Sequence, residues 1–219
     1  MNSNLNEKCW YKEVCLNKQC TACIRFTEMQ YLMQSSGIPE SKQHPIKLTA
    51  QTSNDKKMFQ RLASIKENIV DFVTNGDNLY LASKYTGNGK TSWSIKLVLK
   101  FMDSIWAGNG LRTRALFIHV PSFLIKLKDF QNPISLEYKH NIENCDLVVW
   151  DDIASTELSN YDYSQLLTYI DARVLAEKSN IYTGNIIDEH KLKQVLGERL
   201  SSRIFNNAQL IILDGKDRR

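Results

Sequence analysis

The sequence predicts an α/β fold built on a five-stranded parallel sheet with helices on both faces. Three observations carry this expectation. Strand candidates at 79–82, 115–120, 146–150, 180–184 and 208–213 alternate with helix candidates at 90–106, 121–130, 161–178, 187–195 and 197–206. Alternation of this kind builds parallel strands joined by crossover helices. The run Leu147-Val148-Val149-Trp150 is apolar at every position, the pattern of a strand buried on both faces. Finally, a glycine-rich turn, Gly87-Asn88-Gly89, separates the first strand candidate from the first long helix.

The chain opens with four of its five cysteines, Cys9, Cys15, Cys20 and Cys23. Disulfides do not persist in a reducing compartment. Cys20-x2-Cys23 has the spacing of a zinc knuckle, and the wider pair Cys9-x5-Cys15 reaches the same tetrahedral site. So short a segment has no core of its own, and zinc would supply its folding energy. Residues 24–34 have helical spacing in Phe26, Met29, Tyr31, Leu32 and Met33, and Gly37 and Pro39 follow. The stretch 40–54 is polar and reads as a linker. Met58, Leu62, Ile65, Ile69 and Phe72 then recur at steps of four and three, an amphipathic helix, and Asn75-Gly76-Asp77 turns the chain into the first strand. The expected organisation is a cysteine-rich module over 1–45, a linker over 46–54 and an α/β domain over 55–219.

The turn after the first strand reads Thr86-Gly87-Asn88-Gly89-Lys90-Thr91. Strand, glycine loop and helix in that order form the setting of a nucleotide P-loop. Glycines let backbone N–H groups turn onto phosphate oxygens, and the positive end of the helix points at the same anions. Lys90 neutralises the outer phosphates of ATP and the Thr91 hydroxyl binds magnesium. Lys84 stands where the usual pattern has its first glycine.

Sixty residues on, the apolar run 147–150 ends in Asp151-Asp152. Two carboxylates at the tip of a buried strand are costly unless a cation sits there. Magnesium held between Thr91 and Asp151 answers that cost, and Asp152 is then placed to orient or deprotonate the attacking water. At the end of the fourth strand Asn185 is the candidate contact to the γ-phosphate or its water, with Thr183 the fallback. Gly197-Glu198-Arg199-Leu200-Ser201-Ser202-Arg203 sets two arginines four apart on one helix face. No acid of that helix pairs with Arg203 at helical spacing. An unpaired, rigidly mounted guanidinium suits insertion into a neighbour's phosphate site.

A net charge of +4 proves no polyanion partner, but its distribution is uneven. Residues 84–128 hold eight Lys or Arg and one acid, whereas 133–172 hold eight acids and one lysine. The basic block is either a solvated face or a track for a nucleic-acid backbone, with Lys126, Lys128 and Lys100 the candidates. No apolar run approaches the ~20 residues that span a bilayer. Met1–Lys8 lacks the apolar core of a signal peptide, so the expectation is a cytoplasmic chain with no membrane partner.

These features together resemble the DnaC/DnaI-type helicase loaders of bacteria and phages, within the AAA+ ATPases. The resemblance runs through the cysteine cluster, the loop 86–91, the passage Phe117-Ile118-His119-Val120-Pro121-Ser122-Phe123-Leu124, the acidic strand end, Thr183-Gly184-Asn185 and the helix Gly197–Arg203. It implies a P-loop AAA+ domain behind a zinc module that grips the helicase. Lys90 and Thr91 are then nucleotide and magnesium ligands, Asp151 the second magnesium ligand and Asp152 the residue that handles water. Asn185 is the sensor and Arg203 a finger acting in trans. The implied partners are a replicative hexameric helicase, single-stranded DNA and further copies of the chain. Asp152 stands where many AAA+ proteins carry glutamate. The sequence stops at Arg219 soon after the fifth strand, so the helical lid of many AAA+ proteins is not expected. The rival readings are a transposition-type AAA+ ATPase assisting an integrase, a small-molecule kinase, and a nucleotide-binding assembly switch with little hydrolysis.

Overall fold

In the computed structural model, which describes residues 9, 23–44, 47–105, 111–155, 157–205 and 208–217, five strands form one sheet. They are β1 (Asn78–Ala82), β2 (Ala115–His119), β3 (Leu147–Asp151), β4 (Ser179–Gly184) and β5 (Ala208–Ile212). The order is β2-β3-β4-β1-β5 and every pairing is parallel. The fold class is the one expected, and each strand lies within two residues of its predicted place.

Successive strand residues point to opposite faces, and each face buries its own core. Leu79, Leu81, Phe117, Val149, Ile181 and Ile211 face α1 (Ile24–Ser35), α2 (Ser53–Glu67), α3 (Ile69–Thr74) and α4 (Lys90–Ser104). Tyr80, Leu116, Ile118, Val148, Trp150 and Tyr182 face α5 (Val120–Leu127), α6 (Leu136–Asn144), α7 (Asn160–Leu175), α8 (Glu189–Leu196) and α9 (Glu198–Phe205). Each large side chain fully buried in this way contributes about 1.5–3 kcal/mol.

Three elements differ from the expectation. Residues 24–38, assigned above to the N-terminal module, bury Met29, Leu32, Met33 and Ile38 in the same core as α4 and the sheet. The helical spacing of these apolar residues is satisfied by the core beneath the sheet, and Phe117 N–H of edge strand β2 donates to Ser36 O at 2.7 Å. The single helix expected over 58–72 is two, broken at Asn68 (φ −105°, ψ 28°). Helix α6 was not expected. It buries only Ile142 and is fixed by its cap, Ser135 accepting from Tyr138 N–H.

Asp55, fully buried in the first turn of α2, ties down the chain that follows β5. Its Oδ1 accepts from the backbone N–H groups of Asp214 at 3.1 Å and Gly215 at 3.2 Å. Among the described residues the segment 213–217 forms no helix.

The opposite face is organised by Arg173, which has no exposed surface. Its guanidinium donates to Asn180 Oδ1 (2.8 Å) and to the carbonyls of Ile142 (2.8 Å), Cys145 (2.9 Å), Ser179 (2.6 Å) and Asp146 (3.4 Å). It thereby joins α7, the end of α6 and the starts of β3 and β4. Replacing Arg173 with Met removes its hydrogen bonds to these carbonyls and leaves Asn180 Oδ1 with Trp150 Nε1 alone. The variant is expected to lose about 3 kcal/mol or more of stability, read as a lowered urea midpoint.

Candidate functional site

The sheet order puts β4 between β1 and β3, so three strand ends converge at one edge. Leu81 of β1 is in register with Thr183 of β4, and Trp150 of β3 with Tyr182. The loop after β1, the hydroxyl of Thr183 and the carboxylates at the end of β3 are therefore neighbours.

The loop is built around two glycines at positive φ, Gly87 (68°) and Gly89 (103°). A side chain at Gly89 would come within 3.0 Å of Leu48, and one at Gly87 would strike the Asp217 carboxylate. Asn88 has no exposed surface, and its amide donates to Ser83 Oγ and, at 3.1 Å, to Leu213 O. It holds the loop onto the chain after β5, so its side chain is not available to a ligand. Helix α4 begins at Lys90, and backbone N–H groups of its first turn are free of intrahelical partners, the local requirement for an anion seat.

Lys90 Nζ lies 3.1 Å from Tyr85 O and 3.4 Å from Asn88 Oδ1. Burial pushes its pKa down, and the carboxylates of Asp152 and then Asp151 act against that shift. Asp151 is 4% exposed. Its Oδ1 accepts from Thr91 Oγ1 and Thr183 Oγ1, each at 2.8 Å. The Thr183 oxygen in turn accepts from Asp152 N–H at 3.0 Å. This bond and that from Ile153 N–H to Thr183 O (2.9 Å) hold Asp152 at φ 63°, where the chain turns away from the strand. Asp152 is half-buried and Asn185 is exposed.

The structure brings together Thr91, Asp151, Asp152 and Thr183, with Lys90 close enough to feel both carboxylates. Asn185 lies two residues past Thr183 and makes no hydrogen bond among the described residues, so the fallback residue occupies the network. Lys42, in the turn after α1, was not anticipated. Its charge stabilises the Asp151 carboxylate.

The donor set suits magnesium. A buried carboxylate beside a threonine hydroxyl, under a helix N-terminus, is a hard oxygen site. Burial raises the Asp151 pKa, and the hydroxyls of Thr183 and Thr91 only partly oppose this, so the carboxylate lacks a full counter-charge. A folded-state value above the ordinary 3.8 favours the folded protein at low pH, and that contribution is lost as pH rises through the raised value. Asp151→Asn removes the penalty while keeping an acceptor for both hydroxyls. In EDTA at neutral pH it is expected to melt higher than the parent, and thermal scans across the mildly acid range should show its stability varying less. Equal melting temperatures at neutral pH would contradict the uncompensated charge.

Two sequence expectations about cations change. Arg203 is not unpaired: its Nε lies 2.5 Å from Asp171 Oδ1 on α7. Arg199 reaches the other oxygen of the same carboxylate at 3.2 Å. Helix α9 supplies no acid at helical spacing from Arg203, as read, but α7 packs beside it. Lys128 is likewise engaged, 2.7 Å from Asp162, the acid of the Ser159 capping box that starts α7. Lys126 is exposed. Of the four N-terminal cysteines, Cys9 and Cys23 are free and half-buried, while Cys15 and Cys20 lie outside the described residues. Among the described residues no three potential ligands are grouped for a metal.

An all-parallel sheet in the order β5-β1-β4-β3-β2, with a glycine loop after β1 and acids at the end of β3, is the fold of the P-loop AAA+ ATPases. Solved structures with the same fold include the DnaC helicase loader (18% identity, 75% of this chain and 93% of that one, TM-score 0.63). They also include DnaI (19% identity, 83% and 94%, TM-score 0.64). A third is the replication initiator DnaA bound to AMPPCP and single-stranded DNA (15% identity, 77% and 49%, TM-score 0.58). No family model matches the sequence, and no curated protein matches it. Among the described residues no helix is long and apolar enough to cross a membrane.

Proposed function

We propose that this chain is a cytoplasmic, ATP-dependent loader that delivers a replicative hexameric DNA helicase onto single-stranded DNA. The observation that carries the reading is the Thr91–Asp151–Thr183 cluster beside Lys90, set in a fold shared with the DnaC helicase loader and DnaI.

At such a site the loop backbone from Gly87 to Thr91 seats the phosphates and Lys90 offsets their charge. Thr91 and Asp151 would hold magnesium, whose charge would offset that of the phosphates. The Asp152 carboxylate orients a water whose oxygen bonds to the γ-phosphorus as the bond to the ADP oxygen breaks, and it receives a proton from that water. Thr183 holds both aspartates in register through its single hydroxyl. Arg203 completes the site of a neighbouring copy.

Delivery also needs a grip on the helicase and a path for the strand. We assign the first to the segment of Cys9, Cys15, Cys20 and Cys23, folded on zinc, and the second to the basic face around Lys126 and Lys100. Metal analysis of the purified protein is expected to find one zinc per chain; its absence, with all four thiols titrating freely, would remove the zinc module.

The function is tested by pull-down with the replicative helicase of the same host, with and without magnesium-ATP, followed by loading onto a single-stranded circle. ATP-dependent capture and loading are expected. Capture of an integrase with no retention of helicase would favour the transposition-type reading.

A further inference from the structure

The pairing of Arg203 within its own chain has a directional consequence. A guanidinium carries five N–H donors in a fixed planar fork. Asp171 Oδ1 meets Arg203 at Nε, the inner nitrogen, as an ion pair without hydrogen-bond alignment, and both contacting atoms are out of solvent. The two terminal nitrogens remain at the outer end of a side chain that is 36% exposed. Arg199 meets the same carboxylate in the opposite sense. It donates through a terminal nitrogen, Nη2, at 3.2 Å, and so commits part of the end that would face a phosphate.

Both supporting helices are anchored. Helix α9 buries Leu200 and Ile204, each with no exposed surface, and α7 buries Leu166 and Ile170 to the same extent. The carboxylate is 18% exposed and held by two cations, which leaves the cluster with a net positive charge. A guanidinium whose inner nitrogen is held against a buried carboxylate oxygen keeps that end in place, so its terminal nitrogens are confined to the outer side before any anion arrives. This matters because phosphate is bound by two parallel N–H donors whose orientation decides the strength of the contact.

We propose that Asp171 is a positioning residue for the trans-acting arginine: it orients Arg203 toward the phosphates of a neighbouring copy, and Arg199 braces Asp171 rather than contacting nucleotide. The proposal rests on the reading of Arg203 as a finger, given above. A misplacement of about 1 Å in a reacting constellation costs up to about a hundredfold in rate.

The test uses the full-length chain under conditions of ATP-driven assembly. Asp171→Asn is expected to keep the nucleotide affinity of the monomer and to lose about tenfold to a hundredfold in assembly-dependent hydrolysis. Asp171→Glu, which keeps the charge, is expected to recover part of that loss. Mixing separates positioning from a general folding defect. Asp171→Asn has an intact pocket, so addition of Lys90→Ala, which has an intact finger, should restore turnover. A double variant, Asp171→Asn with Lys90→Ala, should fail to rescue Arg203→Ala, whereas Lys90→Ala alone should succeed.

Wild-type hydrolysis by Asp171→Asn, or faster hydrolysis as expected of a latch that restrains the finger, would overturn the proposal. So would equal rescue by the single and double variants. Failure of Lys90→Ala to rescue Arg203→Ala would instead count against the finger reading itself.

Discussion

Lys90→Ala is expected to abolish ATP binding while leaving the fold intact. The lysine makes no contact that the core needs: its Nζ touches Tyr85 O and Asn88 Oδ1 within its own loop. Its charge is another matter. Asp151 and Asp152 stand beside the phosphate seat, and Lys90 is the cation that both of them act on. Without it, a polyphosphate must enter a pocket whose nearest side chains are anionic. One charge-assisted contact is worth about 1.5–3 kcal/mol, and a carboxylate left uncompensated adds to the loss. A weakening of at least about a hundredfold follows. Titration with a fluorescent ATP analogue in the presence of magnesium measures it, with the melting temperature in nucleotide-free buffer as the control. Binding at parental affinity would remove the P-loop as the nucleotide site and the proposed mechanism with it.

Arg203→Ala is expected to separate binding from turnover. Each chain would bind ATP as before, since Lys90, Thr91 and Asp151 remain. ATP-driven assembly and hydrolysis should fall, the latter by on the order of a thousandfold, the usual worth of an arginine finger. Light scattering follows the assembly and phosphate release follows the chemistry. An equimolar mixture with Lys90→Ala should regain part of the activity, since one chain brings a working pocket and the other a working finger. A mixture that stays inactive, while the parent assembles normally, would leave Arg203 as a structural partner of Asp171.

The elements differ in how far they can be read from sequence, and the reason is range. β1 and β3 are buried on both faces, so they print as continuous apolar runs, Leu79–Ala82 and Leu147–Trp150, that need no partner to be recognised. Helix α6 has one buried residue and hence no periodicity; its only local mark is the Ser135 cap. The break at Asn68 is hidden because Ile65, Ile69 and Phe72 keep helical spacing across it.

The candidate site divides in the same way. The loop from Thr86 to Thr91 and the pair Asp151-Asp152 were legible, because phosphate and magnesium chemistry demands those residue types at fixed local spacing after a strand. The choice between Thr183 and Asn185 was not. It depends on the register of β4 between β1 and β3, which aims the Thr183 hydroxyl at Asp151 and leaves Asn185 in solvent. The charge of Lys42 on Asp151 and the hold of Asp55 on residues 214–215 join segments more than a hundred residues apart.

Arg203 shows the boundary most clearly. Its sequence could say that helix α9 holds no acid at the right spacing, because that is a statement about neighbours three and four residues away. Only the packing of α9 against α7 could bring Asp171 to its Nε. The sequence by itself determined the sheet, the glycine loop and the acidic strand end, since each is dictated by burial pattern or backbone conformation within one element. The tertiary structure decided which side chains face one another across elements, because ion pairs and hydrogen bonds of a few ångströms depend on the register and packing of segments that no local pattern relates.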